Sequence, residues 1–328
     1  MANFFSRRGV LQGLGALAAL SAWPGGGRAW AGSRPAAMNT GPEKKRSLRV
    51  AHLTDPHIQP ERNGIGGWAA CLHHVQSLAD RPELILTGGD HVMDAFDQKF
   101  DRASSLWKLF ARTTKDENSL PIHYCLGNHD LWGWNKSRSG TTGAEAGWGS
   151  GMALDTLELK KAYHSFDRGG WHFVVLDSVR HDSDDPDGYV GGLDEEQFEW
   201  LKGDLAASKD KHTVFVTHIP ILTISVLDDK VDKGGDMKIS GGLLYTNWIK
   251  MRGLLDENPQ VKCVLSGHMH RIDRVEFRGV THLCNGAVSG NWWKGKHYEA
   301  AEGYAVVDLF DDGSVERTYT EFGWKPQA

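Results

Sequence analysis

Cysteine is scarce and unpaired: Cys71, Cys125, Cys263 and Cys284 are scattered through 328 residues with no C-x-x-C pair, which excludes a thiolate zinc cluster. Two disulfides stay open in an oxidising compartment. Cys125 and Cys263 lie in apolar runs and read more simply as small core residues. No apolar run reaches the roughly 18 residues that a membrane span needs. Basic excess is also missing, with 37 Lys and Arg against 42 Asp and Glu and a formal charge of −5. That balance speaks against bulk nucleic acid as a partner, since such binding is driven by counterion release from phosphates. "GLGALAAL" near the start lacks both the third glycine and the preceding strand of a dinucleotide loop. What remains is an ordinary globular composition, 40% apolar, enough to bury a sizeable core.

Arg7 and Arg8 in "SRRGVLQ" precede the short, weakly apolar "GLGALAALSAW", and "AWA" at 29–31 fits an A-x-A cleavage site. Residues 1–31 therefore read as a twin-arginine export signal. The mature chain is then expected in the periplasm or outside the cell, with no membrane anchor. Residues 32–47, polar and aperiodic, read as a linker. Residues 48–328 read as one domain, without internal repeats.

Within that domain five short apolar runs recur: "LRVAHL", "ELILT", "PIHYCL", "HTVFVT" and "VKCVLS", each of strand length. Helix-like segments at 67–80 and 193–208 lie between them. This alternation predicts an α/β fold with a buried sheet. Residues 131–165, rich in Gly, Ser and Thr, read as a long loop that lines a site or is mobile. Four further strand-like runs follow residue 271: "RVEFRGV", "THLCNGAV", "GYAVVDLF" and "VERTYTEF".

The groups that end the five runs carry the chemistry. They are Asp55 and His57, Asp90 and His91, Asn128, His129 and Asp130, His218, and His268 with His270. Ligand sites in open α/β sheets form at the carboxyl ends of strands. Residues two apart in extended chain face the same side, so Asp55 with His57 and His268 with His270 can each aim at one point. Gly89, Gly127 and Gly267 precede three of the groups and allow close backbone approach. Imidazoles and carboxylates with one amide and no thiolate suit Mn, Fe or Zn. Taken singly, a D-x-H is common and His218 would read as a core histidine. Five such groups in order, each after a strand-like run, are not a chance pattern.

The series D-x-H, G-D, G-N-H-D, H and G-H-x-H, from Asp55 to His270, resembles the calcineurin-like metallophosphoesterase superfamily. That resemblance implies a four-layer α/β/β/α sandwich, two face-to-face sheets with helices outside. It also implies two divalent metal ions, one on Asp55, His57, Asp90 and His270, the other on Asp90, Asn128, His218 and His268, with Asp90 bridging. Met93 stands where the purple acid phosphatase branch has a tyrosine ligand, so a coloured iron centre is not expected.

Two such ions can activate a shared water as the attacking hydroxide and clamp a phosphate for in-line displacement. His129 is the expected proton donor to the leaving alkoxide, as in similar enzymes. Asp130 is expected to orient its ring, or to cap the following segment, or both. His91 is open between substrate contact and packed histidine. Asn291 and Trp293, on the glycine-rich "GAVSGNWWKG" loop, are candidate substrate contacts, the alternative being that the loop's aromatics close the core. The motif set is similar to that of class III cyclic nucleotide phosphodiesterases, so small phosphodiesters are favoured over monoesters. A phosphomonoesterase or nucleotidase and a non-catalytic metal-binding scaffold are the alternatives. Oligomeric state is not legible.

Overall fold

The computed structural model describes residues 44–228, 236 and 238–327. The expected signal and most of the expected linker lie outside them. Thirteen strands are described: β1 (Arg46–Leu53), β2 (Leu84–Thr87), β3 (Ile122–His123), β4 (His164–Arg168), β5 (Trp171–Val175), β6 (Val179–His181), β7 (Tyr189–Gly191), β8 (Thr213–Val216), β9 (Val261–Ser266), β10 (Asp273–Phe277), β11 (Val280–Cys284), β12 (Gly303–Phe310) and β13 (Val315–Glu321). β1 begins at Arg46, two residues inside the stretch read as linker. The helices are α1 (Gly64–Ser77), α2 (Phe100–Glu117), α3 (Lys136–Ser139), α4 (Gly151–Leu157), α5 (Glu195–Ala207) and α6 (Trp248–Glu257).

One sheet runs β13-β12-β1-β2-β3 and the other β10-β11-β9-β8-β5-β4. β1, β2 and β3 are mutually parallel, and so are β5, β8, β9 and β11. Parallel strands covered on both faces read as unbroken apolar runs, and β2, β5 and β8 are buried at every position. Alternate residues then sort to opposite faces. Leu48, Val50, Leu84 and Leu86 of one sheet meet Phe173, Val175, Val214, Val216, Cys263 and Leu265 of the other in an inner apolar layer. The outward residues of the first sheet, such as Ala51, Leu53 and Ile85, share a core with Trp68 and Leu72 of α1 and Leu106 and Phe110 of α2. Val174, Phe215 and Val264 do the same with Phe198 and Leu201 of α5 and Met251 of α6. This is the four-layer α/β/β/α arrangement.

Two local expectations are corrected, and the open state of the cysteines is settled. Residues 131–165 are not one loop: they carry α3 and α4 and reach the first residues of β4. "WHFVV", which forms β5, is a central strand that periodicity did not single out, because a short run buried on both faces has no alternation to detect. All four cysteines are free and buried, so no disulfide forms.

Candidate metal centre

The site sits where the parallel strands end. After β1 the chain turns through Thr54 and Asp55 to His57, and this turn is zipped to the one after β2. The N–H groups of Asp55, His57 and Ile58 donate to the carbonyls of Gly89, Asp90 and His91 at 3.0, 3.0 and 2.8 Å. The segment after β3 reaches the same place through Asn128 and His129, where the His129 N–H donates to Asp90 Oδ1 at 2.8 Å. That bond leaves Asp90 Oδ2 facing the histidines. His218 follows β8, and His268 and His270 follow β9.

The seven expected ligands converge. Asp55, His57 and His270 form one group, and Asp90, His218 and His268 another, each with its ligand atoms within 4.8 Å of one another. Asp90 Oδ2 lies between the two, 3.6 Å from His57 Nε2 and 3.3 Å from His218 Nε2. Asn128 Oδ1 is 3.0 Å from His218 Nε2. His270 Nε2 is 3.0 Å from His57 Nε2, and His268 Nδ1 is 3.1 Å from His218 Nε2.

The outer ring nitrogens show why these atoms crowd together. His218 Nδ1 donates to the Gly88 carbonyl and His270 Nδ1 to the Gly290 carbonyl, each at 2.7 Å. Those bonds turn both Nε2 atoms inward, where each offers a lone pair once its proton is displaced. His57 Nδ1 and His268 Nε2 are buried with no hydrogen-bond partner among the described residues. Imidazole nitrogens, an amide oxygen and carboxylate oxygens crowded this closely are a donor set that divalent cations fit, with the ring protons released on binding. The donors present therefore fit a pair of divalent ions.

Backbone geometry is bent to make this possible. Asp55, His57, Asp90, His268 and His270 all have left-handed φ, from 42° to 70°. Each such non-glycine residue costs on the order of 1–3 kcal/mol, a strain that persists where surrounding structure holds it. Two glycines are required by approach rather than by φ. A Cβ on Gly127 would lie 2.2 Å from Asp90 Oδ1, and one on Gly267 would lie 1.8 Å from Thr54 Oγ1 and 2.4 Å from Asp55 Oδ2.

Electrostatics divides the histidines. Burial would depress His218, but Asp90 outweighs it and raises its pKa to about 9. Burial pushes His268 down to about 3, with His218 adding repulsion. The carboxyls of Asp55 and Asp90 would rise on burial, yet the facing histidines His270 and His218 hold both below the ordinary range. His129 is also depressed by burial and raised more by Asp90 and Asp94, to about 9. It keeps a quarter of its side chain exposed, with Nε2 4.0 Å from Asp90 Oδ2. Its partly exposed imidazole thus holds its proton more tightly than a free histidine does.

The expected role of Asp130 is corrected. Asp130 is fully buried and does not touch His129. Its oxygens accept from the backbone N–H of Gly127 at 2.9 Å and of His91 at 2.7 Å, and from His91 Nδ1 at 2.8 Å. It clamps the turn behind the site. Asp94, which the sequence reading did not name, stands beside His129 instead, with Oδ2 3.5 Å from Nδ1. His91 is sealed between Asp130, the Thr87 hydroxyl at 2.8 Å and the rings of Trp107, Phe110 and Tyr124. It is a packed histidine, not a substrate contact.

Trp293 is likewise corrected. Its indole is wholly buried, donates from Nε1 to the His57 carbonyl at 3.2 Å and packs onto Gly64 and Gly67 of α1. It positions a ligand rather than touching solvent. The half-buried neighbour Trp292 is the one at the site, its ring 4.5 Å from that of His270 and 5.9 Å from that of His57. Adjacent tryptophans give no sequence clue to which one faces inward. Asn291 heads the loop half-buried, its N–H closing onto the Gly295 carbonyl at 2.8 Å.

Two donor groups with the buried Asp90 carboxylate set between them form a candidate dinuclear metal site on an α/β/β/α scaffold. Residues 48–271 match the model of the calcineurin-like phosphoesterase family, and the chain belongs to that family. It is a metal-dependent phosphoric ester hydrolase. Among its relatives, the 3′,5′-cyclic adenosine monophosphate phosphodiesterase of Haemophilus influenzae is 23% identical over 291 residues, 83% of this chain and 89% of that one. A 3′,5′-cyclic-nucleotide phosphodiesterase of Nostoc sp. is 24% identical over 251 residues, 73% of this chain and 76% of that one. In fold the chain is similar to a dimetal phosphatase from Danio rerio, with a TM-score of 0.55 at 14% identity, covering 85% of this chain and 97% of that one.

Proposed function

We propose that this chain is an exported phosphodiesterase for small substrates of the cyclic-nucleotide class. The observation that carries the chemistry is Asp90 Oδ2, poised between His57 and His218 at 3.6 and 3.3 Å. In this reading Asp55, His57, Asp90 and His270 hold one ion and Asp90, Asn128, His218 and His268 the other. Mn, Fe and Zn all suit the donor set. When bound, two such ions supply the Lewis acidity that activates water and neutralises phosphate charge. His129 donates a proton to the departing ester oxygen, and Asp94 keeps its ring protonated and turned toward the site.

Preference for diesters has its own support. Among the described residues that line the cavity beside His268, Arg271 is the one Lys or Arg, and its Nε pairs with Glu299 at 3.0 Å. Beyond the two ions, this cavity adds one cation already paired with a carboxylate, which suits a diester with its single negative charge. The names of the relatives point the same way. Asn291 remains a candidate substrate contact at the head of the loop. Arg7, Arg8 and "AWA" at 29–31 support twin-arginine export, with the catalytic domain spanning 48–328.

The test uses chelated protein reloaded with Mn, Fe or Zn. Turnover of bis-p-nitrophenyl phosphate is expected to exceed that of p-nitrophenyl phosphate, and a faster monoester would reverse the substrate assignment. His129→Ala is expected to retain both ions while turnover falls about 10²–10⁴-fold. Unchanged turnover of a diester with a poor leaving group would remove His129 from the mechanism.

A further inference from the structure

Beside His268 opens a cavity of about 250 Å³ walled by Leu243, Met269, Arg271, His297 and Tyr298, among others. Its aromatic side continues the row that begins at the ligands. The Trp292 ring lies 4.5 Å from His270 and 5.7 Å from His297, and His297 lies 4.7 Å from Tyr298.

The loop that carries this row is fastened to the metal centre at several points. Gly290 accepts from His270 Nδ1 at 2.7 Å, Trp293 Nε1 donates to the His57 carbonyl at 3.2 Å, and Glu299 accepts from the Ile272 N–H at 2.8 Å. Trp292, Trp293 and Tyr298 all sit at left-handed φ, 48°, 65° and 49°. Bulky residues in that region are strained, and such strain collects at ligand sites. Yet the loop leaves Tyr298 62% exposed. Its ring is backed by the Arg271 guanidinium, 3.9 Å from the centroid. An exposed ring already held in place loses little freedom when something stacks on it.

We propose that Trp292, His297 and Tyr298 form the subsite for the nucleobase of the substrate, with the phosphate at the metal centre. This rests on the phosphodiesterase reading above and adds the recognition of a flat heteroaromatic substituent. Stacking on an aromatic ring tolerates any base, because every base has a π-face. The shelf therefore selects for nucleotide diesters over aliphatic ones without choosing among bases.

Adenosine 5′-monophosphate and ribose 5-phosphate share the phosphate and sugar and differ in the base. Their affinities for Mn-loaded full-chain protein are measured by isothermal titration calorimetry. Wild type is expected to bind the nucleotide at least about tenfold more tightly. Tyr298→Ala should remove most of that preference, and Tyr298→Phe should keep it. Equal affinities in the wild type, no binding of the nucleotide, or a preference that survives in both Tyr298→Ala and Trp292→Leu would each overturn the assignment. Failure of the hydrolase reading would show separately, as absence of bis-p-nitrophenyl phosphate turnover by the wild type.

Discussion

Replacing Asp94 and Asp130 by asparagine, one at a time, separates a carboxylate that tunes a proton from one that holds a turn. Asp130 is fully buried and accepts from three N–H groups, at 2.7, 2.8 and 2.9 Å. Asparagine keeps one acceptor oxygen and puts an NH₂ where the other was. One or two buried donors then lose their partner, at about 1–3 kcal/mol each. Asp130→Asn should therefore lower stability by about 3 kcal/mol, read as a reduced urea midpoint at unchanged m-value.

Asp94 behaves differently. Its side chain stands at the rim, 15% exposed and 3.5 Å from His129 Nδ1. Asp94→Asn should cost no more than about 1.4 kcal/mol, the equivalent of one pKa unit at His129. Its effect falls on His129, whose pKa burial lowers and Asp90 and Asp94 raise to about 9. A histidine raised on folding contributes its full stabilisation below its ordinary value of 6.5 and loses it as pH climbs through about 9. Without Asp94 that upper end moves down, and so does the pH at which the proton donor is lost. The alkaline limb of the kcat profile, measured on bis-p-nitrophenyl phosphate with Mn-loaded enzyme, should fall by about one pH unit. An alkaline limb displaced by Asp130→Asn and not by Asp94→Asn would refute the reasoning. So would an Asp130→Asn protein as stable as wild type.

Two further outcomes are expected. In Gly267→Ala the added methyl would sit 2.4 Å from Asp55 Oδ2, so the carboxylate must move. Metal affinity measured against a competing chelator should weaken about 10–100-fold, the range for disturbing a ligand's surroundings, and an unchanged affinity would deny Asp55 its place as a ligand. Protein recovered from outside the cytoplasm should begin at Gly32, after the "AWA" site, and an intact N-terminus at Met1 on such protein would contradict the signal reading.

The donor set was legible because each member follows an apolar run and because strand ends in α/β sheets point at a common edge. Convergence of the seven needed only that the runs be parallel strands. Which carboxylate serves which histidine was not legible. Asp130 is adjacent to His129 in the chain, yet the short helical turn Asn128–Asp130 sends its side chain back to Gly127 and His91. Asp94, 35 positions earlier in the chain, takes the place beside His129. The same limit applies to Trp292 and Trp293, whose left-handed backbone puts one ring on the site and the other in the core.

Sequence alone thus determined the chemical inventory: which donors exist, that they follow strands, and that none of them is a thiolate. Tertiary structure decided the pairing of those groups, the free state of the four thiols, the strand that showed no alternation and the ring that faces the site. The physical reason is that residue type and spacing fix what a side chain can do, whereas its partner depends on backbone angles and close approaches set by distant segments.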